Sequence, residues 1–536
     1  MAELAEKPSS AGRETVVAAP VNWSSMSDVP SEVPTVSEQT AVRLAKRSRL
    51  LADGQQPYPV ELRRDHTLAQ VRARWGHLQA GDETQDVVTI GGRVVFLRNT
   101  GKLCFATLQD GFTASDNGER LQVMLSLAEI GEARLEEWKA DVDLGDFVWI
   151  KGRVISSKRG ELSVLATAWR LASKALRPLP TLHKDLSEET RVRARHTDLI
   201  ARPEARQMVR ERAALLASLR SSLGAMGYLE VETPILQLVH GGAKARPFVT
   251  HLNAFDIGMS LRIALELHLK RTMVGGADRV YEIGRIFRNE GVDSSHSPEF
   301  TMLEAYESWG DQFTIADMTK RLIMDAADAL GRHQITRPDG SQIDLDGEWR
   351  WLPMYEGLSG AVGRQITVDT PAQELRELAT EFDVPCDPKW DVHHATAGET
   401  GKLAMELFEH LVEPSLVQPT FVCDFPAIAQ PLARPHRVTP GLIEAWDLMI
   451  GGVERATGFS ELIDPVIQRQ VLTAQSLAAA AGDAEAMQLD EDFLAALEQG
   501  VPPMGGMGLG IDRVMMLFSG AGIRETILFP LLRPEG

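Results

Sequence analysis

The sequence predicts an α+β protein with at least two domains, the first of which is all-β. Three observations lead to this prediction. The chain has 536 residues, which is more than one ordinary domain holds. Residues 86–171 show the alternation of strands, whereas residues 203–536 mix helical and strand patterns. Residues 172–202 contain prolines and are predicted to be a linker between these regions.

Composition limits the class of protein. A charged fraction of 24% and a hydrophobic fraction of 44% are typical of soluble globular proteins. The sequence has no apolar run of about 18 residues and no signal-peptide pattern, so we expect no membrane segment. Cys104, Cys386 and Cys423 are far apart, which argues against a disulfide framework or an ordinary zinc site and favours a cytoplasmic location. The net charge of -19 argues only weakly against nucleic-acid binding, because an acidic protein can carry a basic face.

Two segments precede the all-β region. Residues 1–38 are rich in Ala, Ser and Pro without a sustained period, and are predicted to be a disordered tail. Residues 39–85 are predicted to be a helical segment. Its first helix carries Arg43, Lys46, Arg47 and Arg49. A cluster of this kind is usually a solvated face, and contact with a phosphate backbone is the functional alternative.

Residues 86–171 are predicted to form a five-stranded Greek-key barrel. The strands are predicted at Val87–Leu97, Leu103–Gln109, Arg120–Ser126, Phe147–Ile155 and Glu161–Ala168, with a helix at Ala128–Ala140. Five strands with a helix after the third is the order of an OB-fold. Such barrels bind single-stranded oligonucleotides by stacking bases on aromatic rings. Phe105 is either such a ring or an ordinary core residue, and the pattern alone leaves both open.

The second region opens with a long amphipathic helix, residues 203–226, in which Leu215, Leu219 and Leu223 repeat every four residues. A strand ending at Thr233-Pro234 follows, and a proline there is typical of a sheet edge that can serve in a dimer. The glycine-rich segment VHGGAKARPF, residues 239–248, is either a turn or a place where backbone approaches a ligand. A strand then passes into a helix, with Glu266 at the turn.

Residues 279–306 are predicted to be two strands joined by a polar loop. Because side chains alternate along a strand, Phe300, Met302, Glu304 and Tyr306 share one face, beside Arg288 of the first arm. A solvent-facing hairpin with incidental charges is the simpler interpretation. The mixture of guanidinium, aromatic ring, carboxylate and phenol favours a binding face.

Two further stretches carry candidate chemistry. Glu454 and Glu461 lie seven residues apart, and two carboxylates can bind Mg²⁺ that accompanies nucleotide phosphates. The alternative interpretation is that Glu454 and Glu461 are ordinary charged residues on the surface. Residues 505–518 form a glycine-rich strand that enters a helix bearing Arg513, which suits either a ligand or a tight strand–helix crossing. A phosphate-binding GxxxxGK[ST] motif is absent from the sequence, so any nucleotide site is of another type.

Taken in order, these stretches resemble the three motifs of class II aminoacyl-tRNA synthetases. VETPILQLVHGGAKARPFVTHLNAFD, RIFRNEGVDSSHSPEFTMLEAY, GFSELIDP and GMGLGIDR are most similar to the lysyl-tRNA synthetase family. The resemblance implies that residues 86–171 bind the anticodon. Residues 203–536 would then be a catalytic domain with an antiparallel sheet of six to seven strands flanked by helices. It further implies lysine activation by ATP, transfer to tRNA-Lys, a homodimer formed through the first motif, and no DNA or membrane partner.

The resemblance also assigns roles to individual residues. Arg288 would bridge the ATP α-phosphate and the lysine carboxylate, Glu290 would contact adenine, and Phe300 would stack on it. His296 and Arg513 would hold the γ-phosphate end and, with Arg288, form the catalytic set. Glu454 and Glu461 would ligate Mg²⁺, of which up to three ions accompany ATP. The implied lysine-binding residues are Gly242, Glu266, Arg288, Glu304, Tyr306, Thr457, Phe459 and Glu461. The implied anticodon-binding residues are Arg98, Phe105, Gln122 and Glu161.

The implied chemistry needs no nucleophilic side chain. A carboxylate attacks the α-phosphorus in line and pyrophosphate leaves, so catalysis is positioning and charge neutralisation by Arg and Mg²⁺. Glu304 would reject apolar amino acids, because a buried carboxylate left without a partner costs several kcal/mol.

Five positions of the sequence differ from the pattern of the lysyl-tRNA synthetase family. Where the family usually has Tyr, Tyr or Phe, Ser, an apolar residue and Asn, this sequence has, respectively, Ser260, His268, Gln430, Arg455 and Thr457. They raise the hypothesis of a specialised second copy that attaches lysine or a lysine analogue to another acceptor. A catalytically weak RNA-binding regulator is a second rival, although Arg288 and Arg513 are both retained. Aspartate or asparagine as substrate is a third, which Glu304 disfavours by charge.

Overall fold

The computed structural model describes residues 37–111, 120–180, 186–293, 295–385, 397–480 and 486–534. The chain divides into two compact units, residues 1–179 and 180–536. The predicted tail, apart from its last two residues, and Cys386 lie outside the described residues.

The first unit is the predicted barrel preceded by helices. Its elements are α1 (Glu38–Ala52), α2 (Leu68–Trp75), β1 (Glu83–Thr100), β2 (Leu103–Gln109), β3 (Arg120–Ser126), α3 (Leu127–Ile130), α4 (Glu132–Asp141), β4 (Phe147–Ser156) and β5 (Leu162–Ser173). The strands close in the order β1-β2-β3-β5-β4. Alternate side chains such as Val88, Ile90 and Val94 fill the interior. The five-stranded OB-fold with a helix after its third strand is confirmed.

The basic helix α1 is tied to its own unit. Arg43 is buried and donates to a backbone carbonyl. Lys46 pairs with Asp143 at 2.7 Å, and Arg49 pairs with Asp141. These partners favour a packing role for the cluster over contact with a phosphate backbone.

The second unit begins within the predicted linker. Its elements as far as the long hairpin are α5 (Glu188–Arg193), α6 (Arg195–Ala201), α7 (Pro203–Ala225), β6 (Leu229–Glu230), β7 (Leu236–Gln237), β8 (Val249–Leu252), β9 (Ile257–Leu261), α8 (Glu266–Val274), β10 (Arg279–Phe287) and β11 (Glu299–Ser308). Arg195 of α6 donates to the carbonyls of Arg524 and Leu528. The later half of residues 172–202 is therefore helical and folds with the second unit.

The remaining elements complete the sheet and its flanks. They are α9 (Gln312–Leu330), β12 (Gln334–Thr336), β13 (Gln342–Asp344), β14 (Arg350–Pro353), α10 (Met354–Val362), α11 (Ala372–Glu381), α12 (Ala397–Leu411), a 3₁₀ turn (Glu413–Ser415), β15 (Thr420–Cys423), β16 (Ala445–Met449), β17 (Glu454–Ser460), α13 (Pro465–Ala480), α14 (Glu491–Leu497), β18 (Met504–Gly510), α15 (Ile511–Ser519) and α16 (Ile523–Thr526).

One sheet of eight strands organises the second unit, in the order β14-β15-β16-β17-β18-β11-β10-β6. The six central strands are antiparallel, and the two outermost strands join in parallel. The sheet has more strands than the expected six to seven: β6, of two residues, lies in the strand predicted before Thr233-Pro234, whereas β14, of four residues, was not predicted. The register places Ile286 opposite Phe300 and Glu282 opposite Glu304, which confirms the predicted faces of the hairpin.

A buried ion pair joins the first-motif strand region to this hairpin. Arg262 and Glu282 are both buried, with 2.6 Å between Nη1 and Oε1. The second oxygen of Glu282 accepts from the backbone and hydroxyl of Thr233 at 3.0 and 2.7 Å. Breaking one member would leave the other charged and unpaired in the core, which typically costs 3–5 kcal/mol.

Candidate active site

A cavity of about 300 Å³ opens over the face of the central strands. Its walls come from the hairpin β10–β11, from β17 and β18, and from the start of α15. The residues predicted from the sequence that line it are Gly242, Glu266, Arg288, Glu290, His296, Phe300, Glu304, Tyr306, Glu454, Thr457, Phe459 and Arg513. Gly242 and Arg513, which are 271 residues apart in sequence, therefore line the same cavity, as the resemblance implied.

Cationic and imidazole groups meet at one end of the cavity. Arg513 Nη2 lies 3.5 Å from His296 Nε2, and Arg513 Nη1 lies 3.3 Å from Glu454 Oε1. His296 is oriented by Asp293, whose Oδ2 is 2.8 Å from its Nδ1. Backbone N–H groups of Ser295 and His296 lower the pKa of Asp293, so this carboxylate stays charged. The arrangement suits the distal phosphates of a nucleotide.

Arg288 stands in the middle of the cavity. Its guanidinium lies 5.3 Å from the Phe300 ring centroid and donates weakly to the Ile263 carbonyl at 3.4 Å. Among the described residues it forms no ion pair. Burial lowers the pKa of Arg288, yet guanidinium remains protonated in proteins. A charged, largely desolvated guanidinium without a carboxylate partner is prepared to receive an anion.

The other end of the cavity is buried and acidic. Glu304 is 4% exposed and accepts from the Leu265 N–H at 2.8 Å and from the Tyr306 hydroxyl at 3.2 Å. Burial, with Glu266 nearby, raises the pKa of Glu304 to about 8. A cationic ligand would neutralise this carboxylate and recover the cost of its desolvation.

Glu461 lies beside this acidic end, just after β17. It is buried and forms an ion pair with Lys270, but neither carboxylate oxygen accepts a well-aligned hydrogen bond from the described residues. A Cβ added at Gly506 would overlap both Glu461 and the Tyr306 ring, so the glycine allows these groups to meet. The glycine-rich strand β18 thus serves packing and the cavity together.

Gly242 forms part of the wall near Glu266. Its φ is +88°, and an added Cβ would lie 2.9 Å from the Ala264 side chain and 3.1 Å from that of Glu266. Only glycine fits this conformation and spacing without strain. The backbone therefore reaches the ligand space, which favours the ligand interpretation of VHGGAKARPF.

The structure separates the two residues of the predicted metal pair. Glu454 is the first residue of β17 and Glu461 follows its last, so roughly 20 Å of extended chain separates their Cα atoms, which is too far for both to ligate one ion. Asp447, on the neighbouring strand β16 opposite Thr457, lines the cavity close to Glu454 instead. Burial and the charge of Glu454 raise the pKa of Asp447 well above its usual value. Two carboxylates this close together, Asp447 and Glu454, are better placed to bind one divalent cation than Glu454 and Glu461 are.

Sequence reasoning did not single out Asp447, Lys244 or Lys270. Asp447 stands seven residues before Glu454, the spacing that Glu461 has after it, and the pairing of β16 with β17 decides between them. Lys244 lines the cavity and donates to the carbonyls of Ile428 and Ala429. Lys270 is one of several residues of α8 without a distinguishing sequence pattern, and only the packing of the folded chain shows that it contacts Glu266 and Glu461.

The predicted anticodon residues share the outer face of the barrel. Arg98 and Phe105 are directly opposite each other on β1 and β2, and Phe105 is half-buried between the buried Cys104 and Ala106. Gln122 on β3 donates to the Ser163 hydroxyl at 2.9 Å. Glu161, just before β5, is exposed and 3.2 Å from Arg72. Phe105 is thus not a core residue, and the four side chains form a patch across β1, β2, β3 and the start of β5.

Comparison with known families agrees with this geometry. Residues 187–533 match the family of class II tRNA synthetases for D, K and N, and residues 88–172 match the OB-fold nucleic acid binding domain. The chain belongs to the class II tRNA synthetase family. Within the family it is 54% identical over 512 residues to a lysine–tRNA ligase of Mycobacterium bovis, covering 95% of this chain and 99% of the relative.

Two other relatives extend this picture. A lysine–tRNA ligase of Kineococcus radiotolerans is 55% identical over 512 residues, covering 95% of this chain and all of the relative. The lysylphosphatidylglycerol biosynthesis bifunctional protein LysX of Mycobacterium avium is 46% identical over 504 residues, which cover 93% of this chain but 41% of that protein. Within the part of this chain that the structure describes, every helix is too short or too polar to cross a bilayer.

Proposed function

We propose that this protein is a lysine–tRNA ligase that forms lysyl-adenylate from L-lysine and ATP and transfers lysine to the 3′ end of tRNA-Lys. The observation that carries the proposal is the polarity of the cavity. One end presents Arg513 and His296 to a polyphosphate, the other presents buried carboxylates to a cationic side chain, and Arg288 lies between them. Relatives at 54–55% identity over nearly the whole chain carry this name.

The adenylation step follows from these positions. Arg288 pairs with the lysine carboxylate and the α-phosphate, so that the carboxylate oxygen attacks phosphorus while pyrophosphate leaves. Arg513 and His296 take the charge that develops on the leaving group. Phe300 offers a ring for adenine, and Glu290, exposed on the loop, offers a carboxylate to its amino group. No described side chain has to act as a nucleophile.

Lysine specificity is assigned to the acidic end. Glu266 and the backbone at Gly242 receive the α-ammonium, and Glu304, Tyr306 and Glu461 surround the ε-ammonium. Thr457 and Phe459 line the intervening wall. A neutral side chain of the same length would leave Glu304 without a cationic partner, so discrimination on the order of 10⁴ is expected without an editing step.

Mg²⁺ is the proposed cofactor, with Asp447 and Glu454 as its protein ligands. Mg²⁺ is usually held by one or two carboxylates together with substrate phosphates and water, and this donor set fits it. Among the described residues no group of three metal-ligating side chains exists, so the phosphates must complete the coordination. When bound, the metal would neutralise charge on the polyphosphate.

The barrel is proposed to read the anticodon, with Phe105 stacking on a base beside Arg98 and with Gln122 and Glu161 hydrogen-bonding to base edges. Homodimerisation is proposed through the first-motif region. Large apolar side chains are exposed there on β6, β8 and the adjoining turns, namely Leu229, Leu238, Val249 and Phe255 at 62–82% exposure. Because tRNA is the proposed partner, the proposed location is the cytoplasm.

Amino-acid-dependent exchange of pyrophosphate into ATP, measured with all twenty amino acids, tests the proposal. Exchange with lysine alone is expected, followed by charging of tRNA-Lys. Exchange with aspartate, with asparagine or with no amino acid would refute lysine activation. Lysine exchange without tRNA charging would instead support a paralogue that uses another acceptor.

A further inference from the structure

We propose that Lys270 is a permanent counter-ion that positions two of the lysine-binding carboxylates, Glu266 and Glu461. It contacts one oxygen of each carboxylate, and the second oxygen of each contacts the substrate. This inference rests on the proposed function. It concerns a residue that lies behind the cavity wall and is fully buried.

The contacts of Lys270 are specific to this geometry. Its Nζ lies 2.6 Å from Glu266 Oε1 and in ion-pair contact with Glu461 Oε2. The Leu432 carbonyl, at 3.4 Å, accepts its third N–H. The ammonium is thus held by two hydrogen bonds and one ion pair, which restrict its position. Oε2 of Glu266, which lines the cavity, and Oε1 of Glu461, which is buried beside Tyr306, accept no hydrogen bond from the described residues, and the proposal gives these two oxygens to the ligand.

The charges of the acidic end balance only with this ammonium and the substrate together. Glu266, Glu304 and Glu461 carry three negative charges when ionised, and Lys270 supplies one positive charge. The α- and ε-ammonium groups of lysine supply the other two, and its carboxylate is matched by Arg288. Burial opposes the charge on Lys270, but Glu266 and Glu461 outweigh it and raise the pKa of Lys270, so it stays protonated.

Without Lys270, Glu266 and Glu461 would repel each other in a desolvated site and move apart or take up protons. Either change would remove the two oxygens from the positions that the substrate ammonium groups require. The ATP end would keep its geometry, because Arg513 and His296 make no contact with Lys270. Lys270 therefore acts on lysine binding through Glu266 and Glu461, as a positioning residue.

The test is the Lys270→Met variant, which keeps side-chain length and removes the charge. Lys174 provides a matched control. It is also buried, with Asp143 and Asp146 at 2.5 and 2.7 Å, but it belongs to the barrel unit. In pyrophosphate exchange we expect Lys270→Met to raise KM for lysine about 10- to 100-fold, the value of a charged hydrogen bond. KM for ATP should change less than about threefold, and Lys174→Met should leave both constants unchanged.

Three outcomes decide the question. A lysine KM within threefold of wild type in folded Lys270→Met overturns the proposal, as does an equal rise in the KM values for lysine and ATP. A loss of kcat that merely follows a loss of folded protein indicates a structural role and also overturns it. If Lys270→Met does not fold, Lys270→Gln, which keeps a donor without the charge, is judged by the same ratio. A wild-type protein inactive with lysine would refute the proposed function itself, which distinguishes the two failures.

Discussion

The two ends of the cavity differ in both charge and exposure. The nucleotide end is built from partly exposed side chains on a loop and at a helix start: His296 is exposed and Arg513 is partly so. The amino-acid end is built from buried carboxylates on β11, at the start of α8 and just after β17, held by internal hydrogen bonds and one buried lysine. The difference indicates that the nucleotide end is open to solvent, whereas the substrate side chain is selected by a buried site that exists before binding.

Removing the central carboxylate of the acidic end should have the largest effect. Glu304→Ala takes away the partner of the ε-ammonium and frees the Leu265 N–H and the Tyr306 hydroxyl. We expect kcat/KM for lysine in pyrophosphate exchange to fall on the order of 10⁴-fold. ATP binding, measured by calorimetry, should persist. Retained lysine turnover would contradict the assignment of Glu304 to the ε-ammonium.

Substitution of the proposed metal ligand Asp447 should have the next largest effect, and the same measurement on Glu461 shows which of the two residues binds Mg²⁺. Asp447→Asn should raise the Mg²⁺ concentration for half-maximal exchange about 10- to 100-fold, because one of two carboxylate ligands is lost. Glu461→Gln should leave the Mg²⁺ requirement near its wild-type value while weakening lysine use. A Mg²⁺ titration of both variants measures this. The reverse pattern would restore the pair predicted from the sequence.

A substitution in the barrel should spare both ends of the cavity. Phe105→Ala removes a half-buried ring from the outer face, where stacking on a base is worth about 1–3 kcal/mol. We expect KM for tRNA-Lys in aminoacylation to rise by roughly tenfold or more. Lysine-dependent pyrophosphate exchange should be unchanged. Unaltered charging of tRNA-Lys would remove Phe105 from the anticodon face.

The pH dependence of lysine binding should give the smallest effect. Since the pKa of Glu304 is about 8 in the free protein, this carboxyl is mostly neutral at pH 6.5 and mostly ionised at pH 8.5. Only the ionised form pairs with the ε-ammonium, so KM for lysine should fall as pH rises. Between pH 6.5 and pH 7.5 the ionised fraction of Glu304 rises about eightfold, so KM for lysine should fall by about that factor. KM for ATP over the same range is the control, and a lysine KM that is flat or rising would contradict a buried, protonated Glu304.

The sequence predicted the parts of this molecule that depend on local periodicity. Period-two alternation placed Phe300, Glu304 and Tyr306 on one strand face, and the register bears this out. The OB-fold followed from the order of five strands and a helix. The edge strand β14 was not predicted, because four residues show too little periodicity and their parallel pairing is set by tertiary contacts. β6 belongs to the strand predicted before Thr233-Pro234, although only two of its residues pair with the sheet.

The sequence could not distinguish between residues of the same type with similar spacing, and only the folded structure shows which of them lie together. Glu461 and Asp447 both stand seven residues from Glu454, and only strand pairing shows that Asp447 shares the cavity with it. Arg43 and Lys46 had the pattern of a solvated or phosphate-binding helix, yet each has a partner on its own unit. Lys270 could not be distinguished from a surface lysine until the carboxylates on other elements were placed around it.

The measurement that tests the central claim most directly compares lysine with norleucine, which has the same length without the ε-ammonium. The ratio of their kcat/KM values in pyrophosphate exchange reports what the buried carboxylates contribute to selection. The account predicts that wild type favours lysine by a factor on the order of 10⁴ and that Glu304→Gln lowers this factor at least about tenfold. Comparable use of norleucine by the wild-type protein would contradict a preformed acidic site.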